Sequence, residues 1–69
     1  MKVKNNNALY ISKKENKKIE KMIDDLEHFL IKMEKQGVNY NNVTFKCLEN
    51  AQGFLGMFLD NTEGFEEEL

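Results

Sequence analysis

The chain has 69 residues, with ten basic and twelve acidic side chains that give a formal net charge of −2, and it contains one cysteine. This length allows one small domain, residues 1–69, and so short a chain usually needs a disulfide, a metal or a partner to be stable. The single cysteine excludes an internal disulfide, and no cluster of cysteine and histidine offers metal ligands, so we expect self-association.

The chain begins with a stretch rich in lysine and asparagine, residues 1–7, which we expect to be flexible. No apolar segment of signal-peptide or membrane-spanning length follows it, and a lone thiol suits a reducing compartment. We therefore expect a cytoplasmic protein that does not bind a membrane. Residues 8–11 are a short apolar run that either covers the core or pairs as an edge strand.

The longest predicted element is a helix over residues 13–36. Ser12 and Glu15 stand three apart and predict a capping box, in which each side chain binds a backbone N–H of the first turn. Gly37 is the kind of residue that commonly ends a helix, because it adopts the left-handed conformation easily. The apolar residues between these signals recur at helical spacing within an arc of roughly 120°, which suits one partner helix. They are Ile19, Met22, Ile23, Leu26, Phe29, Leu30 and Met33.

A polar connection, residues 38–42, precedes a second predicted helix over residues 43–59. Its asparagines favour turns and helix caps, so we expect an antiparallel hairpin. The apolar residues of the second helix cover an arc of about 180°, which is too wide for a single partner helix. Residues 43–47 alternate as a strand would, and an α+β arrangement with a short strand there is the alternative. Residues 60–69 carry five acids and no base, which predicts a frayed acidic tail.

The sequence thus predicts an all-α protein, an antiparallel helical hairpin that forms a dimeric four-helix bundle or a higher oligomer through the wide face of its second helix. Aromatic residues and methionine are favoured at such interfaces. The candidate interface residues are Phe45, Phe54, Met57 and Phe58. Covering the core of the chain itself is the alternative role for the same side chains.

The first turns of the first helix carry five lysines, which we call the lysine face. They oppose the helix dipole and repel one another at i, i+4 spacing. We expect either a solvated face that the acidic tail partly neutralises, or an anion-binding face. Nucleic acid is the less favoured ligand, because the net charge is negative and the absence of arginine removes bidentate contacts. The lysine face comprises Lys13, Lys14, Lys17, Lys18 and Lys21, and the tail carboxylates expected beside it are Glu66, Glu67 and Glu68.

Few residues in the sequence suggest chemistry. His28 is predicted on the side of the first helix opposite the apolar stripe. Asp25 and His28 have the i, i+3 spacing of metal ligands in helical bundles, but such sites also need further carboxylates that face inward, and here the pair points outward and stands alone. Cys47 is expected to pack at the edge of an apolar face, with no histidine placed to activate it. Because serine and threonine number only three, a nucleophile with its base cannot be assembled. We expect no enzyme, no cofactor and no metal site.

These observations favour a small non-enzymatic protein-interaction module. We expect an accessory protein or inhibitor, of phage, mobile-element or bacterial origin, that binds and occludes a partner protein. The lysine- and asparagine-rich composition without arginine or proline is typical of an AT-rich coding source. An oligomeric binder, or sponge, of a small anionic ligand such as a nucleotide is the alternative, and a DNA-associated regulator is less favoured than either.

Overall fold

A computed structural model of the chain describes residues 1–5 and 8–69. It contains a helical hairpin with a small three-stranded sheet at one end. In chain order the elements are β1 (Lys2–Asn5), β2 (Ala8–Ile11), α1 (Lys13–Lys35), α2 (Val43–Asp60), β3 (Gly64–Phe65) and a 3₁₀ turn, Glu66–Glu68. The predicted hairpin is confirmed, whereas the all-α assignment omits the sheet.

Local signals set both ends of α1 as predicted. The Glu15 backbone N–H donates to Ser12 Oγ at 2.9 Å, and the Ser12 N–H donates to Glu15 Oε1 at 2.8 Å, which completes the capping box. At the other end Gly37 adopts a φ of +85°, and the Val38 N–H donates to the carbonyl of Met33 at 3.0 Å. This glycine-terminated pattern satisfies carbonyls that the helix end would otherwise leave free.

The second helix begins at Val43, so the alternative strand over residues 43–47 is wrong. Asn42 caps α2 by accepting the Phe45 N–H at 3.1 Å, and this local hydrogen bond outweighs the short alternation that resembles a strand. Midway along α2, Gln52 Nε2 donates to the carbonyl of Ile23 at 3.3 Å and to Glu27 Oε2 at 2.7 Å. These contacts fix how the two helices are aligned.

The sheet joins the two ends of the chain. β1 and β2 pair antiparallel with an irregularity between Val3 and Asn5, and β2 pairs parallel with β3. Residues 2–5 of the segment predicted to be flexible therefore form a strand, while Asn6 and Asn7 lie outside the described residues. The tail predicted to be frayed supplies β3 and the 3₁₀ turn, because it pairs with a strand more than fifty residues away.

The core is small and the molecule is thin. Within the described residues, Ile11, Leu30 and Phe45 are the buried apolar side chains. The chain extends over 47 × 21 × 12 Å with a radius of gyration of 15.1 Å, whereas a chain of this length packed as a sphere would have about 11 Å. The two helices thus form a single layer. Neither described helix is long and apolar enough to cross a membrane.

Candidate interaction surface

Helix α2 has apolar side chains on two opposite sides. At 100° per residue, the buried and half-buried residues that face α1 occupy one side, and a second row points away from α1. The side toward α1 consists of Phe45, Leu48, Gln52, Leu55 and Leu59. The second row, which we call the outer stripe, consists of Val43, Cys47, Asn50, Phe54 and Met57.

The outer stripe is exposed along its whole length. Val43 is 76% exposed, Phe54 67% and Met57 55%, and the thiol of Cys47 and the amide of Asn50 are also at the surface. Successive members of the stripe are alternately four and three residues apart, an average period of 3.5. This spacing is typical of a helix that packs along a second helix, and none of the described residues covers the outer stripe.

The structure divides the four candidate interface residues. Phe54 and Met57 lie on the outer stripe, and Phe58 is half-buried at its edge. Phe45 instead lies in the core of the chain, 2% exposed, with its ring edge-on to Tyr40 at a centroid distance of 5.3 Å. Phe45 therefore does not belong to the exposed surface, and its prediction as an interface residue is wrong.

Two members of the outer stripe were not expected there. Val43 is not among the predicted interface residues, and the prediction that Cys47 packs in the core at the edge of the apolar face is wrong, because the thiol is exposed. The alternating spacing of four and three residues along α2 is the signal that would have identified both positions from the sequence.

Helix α1 also keeps apolar side chains at its surface. Met22 and Phe29, two turns apart, are exposed at one edge of the predicted stripe. Exposed apolar side chains are therefore present on α1 as well as on α2. Phe29, with Asp25, His28 and Lys32, lines a shallow groove of about 310 Å³. Because all four residues belong to one side of one helix, this groove is part of the outer surface of α1 and not an enclosed site.

The lysine face is exposed and lies on the side of α1 away from α2. Within the described ranges, Lys21 is the one member paired with a carboxylate, at 3.1 Å from Asp25 Oδ2. The ammonium of Lys13 lies 5.8 Å from the centroid of the Phe65 ring. The acidic tail reaches this end of α1 as predicted, but its contact is with the backbone of Lys13 and not with a lysine side chain. Both carboxylate oxygens of Glu67 accept the Lys13 N–H, at 3.0 and 3.1 Å.

Replacing Glu67 by alanine should destabilise the fold by about 0.5–1 kcal/mol, because the first turn of α1 loses the carboxylate that satisfies a backbone N–H and complements the helix dipole. The matched control is Glu68→Ala, which removes the same charge from the next residue of the tail. Urea denaturation followed by helical circular dichroism measures both variants. Equal losses in the two would show that the Lys13 contact contributes nothing.

A second charged cluster lies at the capping box. The amino group of Met1 is 3.2 Å from Glu15 Oε1 and 3.3 Å from Glu66 Oε2. Hydrogen bonds to the carboxylates of Glu15 and Glu66 raise the pKa of this amine. The backbone N–H of Ser12, followed by the Met1 ammonium, lowers the pKa of Glu15 below its ordinary value of 4.5.

The lowered pKa of Glu15 predicts a pH dependence of stability. The ionised carboxylate stabilises the fold above about pH 4.5, and this contribution is lost as the pH falls through the folded-state pKa. Glu15→Gln should therefore lower the urea midpoint at pH 7, and its deficit relative to the wild type should shrink as the pH falls from 7 to 3, since the amide can still accept the Ser12 N–H. Glu34→Gln, the control, should show no loss at either pH. A deficit that is as large at pH 3 as at pH 7 would contradict the assignment.

The described residues contain no group of three or more histidine, cysteine or acidic side chains placed to hold a metal ion. His28 is exposed, as predicted from its position opposite the apolar stripe. Comparisons of the chain with protein-family models, with curated protein sequences and with solved structures each found no match. Among the described residues, the outer stripe of α2 and the lysine face of α1 are both exposed to a binding partner.

Proposed function

We propose that this chain is a small, non-enzymatic protein-interaction module whose working surface is the outer stripe of α2. The observation that carries the proposal is the exposure of Val43, Phe54 and Met57 in one row on the side of α2 opposite its contact with α1. These side chains can bind another apolar surface but cannot transfer a proton or a chemical group. Aromatic residues and methionine in a rigid row are typical of interface cores.

In this proposal the chain self-associates into a dimeric four-helix assembly or a higher oligomer. It acts in the cytoplasm as an accessory protein or inhibitor, of phage, mobile-element or bacterial origin, that covers a functional surface of a partner protein. The hairpin suits this role, because a single layer of helices presents a large surface for few residues.

Comparison of captured proteins tests the proposal. The wild-type chain, Phe54→Glu and Phe29→Glu are immobilised and exposed to the same bacterial lysate, and the retained proteins are identified by mass spectrometry. We expect a partner that the wild type and Phe29→Glu retain and Phe54→Glu loses. Phe29 is the matched control because it is also an aromatic residue, 56% exposed, on the other helix. Identical sets of retained proteins for all three chains would refute the proposal.

A second candidate function rests on the lysine face. Four of its five ammonium groups have no carboxylate partner within residues 1–5 and 8–69, which suits an oligomeric sponge for a small anion such as a nucleotide. Against it, Glu67 already occupies the N-terminal N–H of α1 where an anion would bind. A ligand at 100 times its Kd stabilises a fold by about 2.7 kcal/mol, so a thermal-shift screen with nucleotides distinguishes the two functions. Duplex DNA in the same screen tests the less favoured regulator.

A further inference from the structure

We infer that the outer stripe is covered by the outer stripe of a second copy, with the two α2 helices antiparallel and related by reversal about residue 52. This inference rests on the proposed function, because it names what occupies the same surface.

The area of the molecule fits a partner of this kind. A folded chain of 8.1 kDa is expected to expose about 4500 Å². This chain exposes 5375 Å², an excess of about 900 Å² over that expectation. A stable interface of ordinary size buries about 800 Å² on each partner. One copy seated on the outer stripe would therefore bring the exposed surface close to that of a normally packed protein.

The stripe is complementary to itself when one helix is reversed about residue 52. Cys47 then lies opposite the partner's Met57, and Asn50 opposite the partner's Phe54. Each layer combines a small or polar side chain with a large one, so the layers interdigitate without a clash between two large residues. Asn50 is the one polar member of the stripe, and a single polar position in such a seam selects one register over others.

Charges beside the stripe favour the same alignment. Lys46 lies six residues before residue 52 and Asp60 lies eight residues after it, on the same edge of the stripe, and both side chains are exposed. Within one chain each charge is badly placed, because a cation near a helix start and an anion at a helix end oppose the helix dipole. Reversing a second helix about residue 52 puts each Lys46 within two residues, or about 3 Å along the axis, of the partner's Asp60, and it moves each charge to the favourable end of the neighbouring helix. A parallel pair would place neither charge beside its opposite.

Cysteine cross-linking tests the orientation. Cys47 lies opposite the partner's Met57, so the Met57→Cys variant, which keeps Cys47, should form a disulfide-linked dimer under mild oxidation. The control, Cys47→Ser/Met57→Cys, should stay uncross-linked. The wild type should not cross-link either, because the partner's Cys47 lies ten residues away along the antiparallel helix, or about 15 Å, and a disulfide needs Cα atoms within about 7 Å. A cross-linked wild-type dimer would overturn the inference, since it indicates parallel helices.

Charge reversal tests the register. Lys46→Glu should weaken dimerisation about tenfold, and adding Asp60→Lys should restore the dissociation constant to within about threefold of the wild type. Failure of the second substitution to restore dimerisation would overturn this alignment. A chain that captures a partner in a manner sensitive to Phe54→Glu, yet stays monomeric at all concentrations, would overturn the inference and leave the outer stripe as a surface that binds a different protein. No Phe54-dependent capture, with the Met57→Cys cross-link present, would support the inference and refute the binding of a partner protein.

Discussion

Phe54→Glu is expected to convert the self-associated protein into a monomer that keeps its fold. Phe54 is central in the outer stripe and 67% exposed in the single chain, so a charge there leaves the core of the hairpin intact. In a dimer each copy loses a buried aromatic side chain, worth about 1.5–3 kcal/mol, and gains an unpaired carboxylate in an apolar seam. We expect dimerisation to weaken by about 100-fold or more, since about 1.4 kcal/mol corresponds to a factor of ten.

Size-exclusion chromatography with light scattering at tens of micromolar measures this effect, and circular dichroism verifies that the helices remain. Phe29→Glu is the control, because it makes the same substitution at an exposed position of α1 and should leave the mass at that of the dimer. A wild-type chain that is a monomer under these conditions, or a Phe29→Glu chain that dissociates as fully as Phe54→Glu, would contradict the assignment of the interface to α2.

Phe45→Ala should leave much of the protein unfolded. Phe45 is the largest fully buried side chain, it joins the start of α2 to the core, and its ring packs edge-on against Tyr40 at 5.3 Å. Removing a buried phenylalanine costs about 3–5 kcal/mol, and a chain of this length has a total stability of about 3–10 kcal/mol. One substitution therefore removes a large part of the stability.

Urea denaturation at a fixed protein concentration measures this loss. Phe45→Leu, which fills most of the same space, should cost less than half as much as Phe45→Ala. If the two variants unfold at the same urea concentration as the wild type, Phe45 does not hold α2 in the core.

The helices could be predicted because their signals are local. The capping box at Ser12 and Glu15, the glycine at residue 37 and the cap at Asn42 each act over a few neighbouring residues, and each appears in the structure as the sequence indicates. A strand at residues 8–11 is one of the two alternatives that the sequence offers, but its partner β3 could not be predicted in the same way. Gly64–Phe65 is two residues long, too short to show a period, and its pairing with β2 depends on the hairpin bringing distant segments together.

The candidate surface was predictable in part for a related reason. The apolar arc of α2 is visibly too wide for one neighbour, so a surplus of apolar surface follows from the sequence, and Phe54 and Met57 belong to it. Which end of the arc faces α1 depends on side-chain packing between the helices, and this packing buries Phe45 and exposes Val43. Periodicity alone does not determine which part of the apolar arc faces α1.

The thin, single-layer fold has a consequence for the amount of protein in a cell. With three buried side chains among the described residues, a single copy has little buried apolar surface to stabilise its fold. A second copy that binds only the folded form therefore adds to the stability of the chain. Folding then becomes dependent on concentration. At low abundance the chain would spend more time open to proteases, and above a threshold it would protect itself. Gene dosage would then control the lifetime of the protein as well as its quantity.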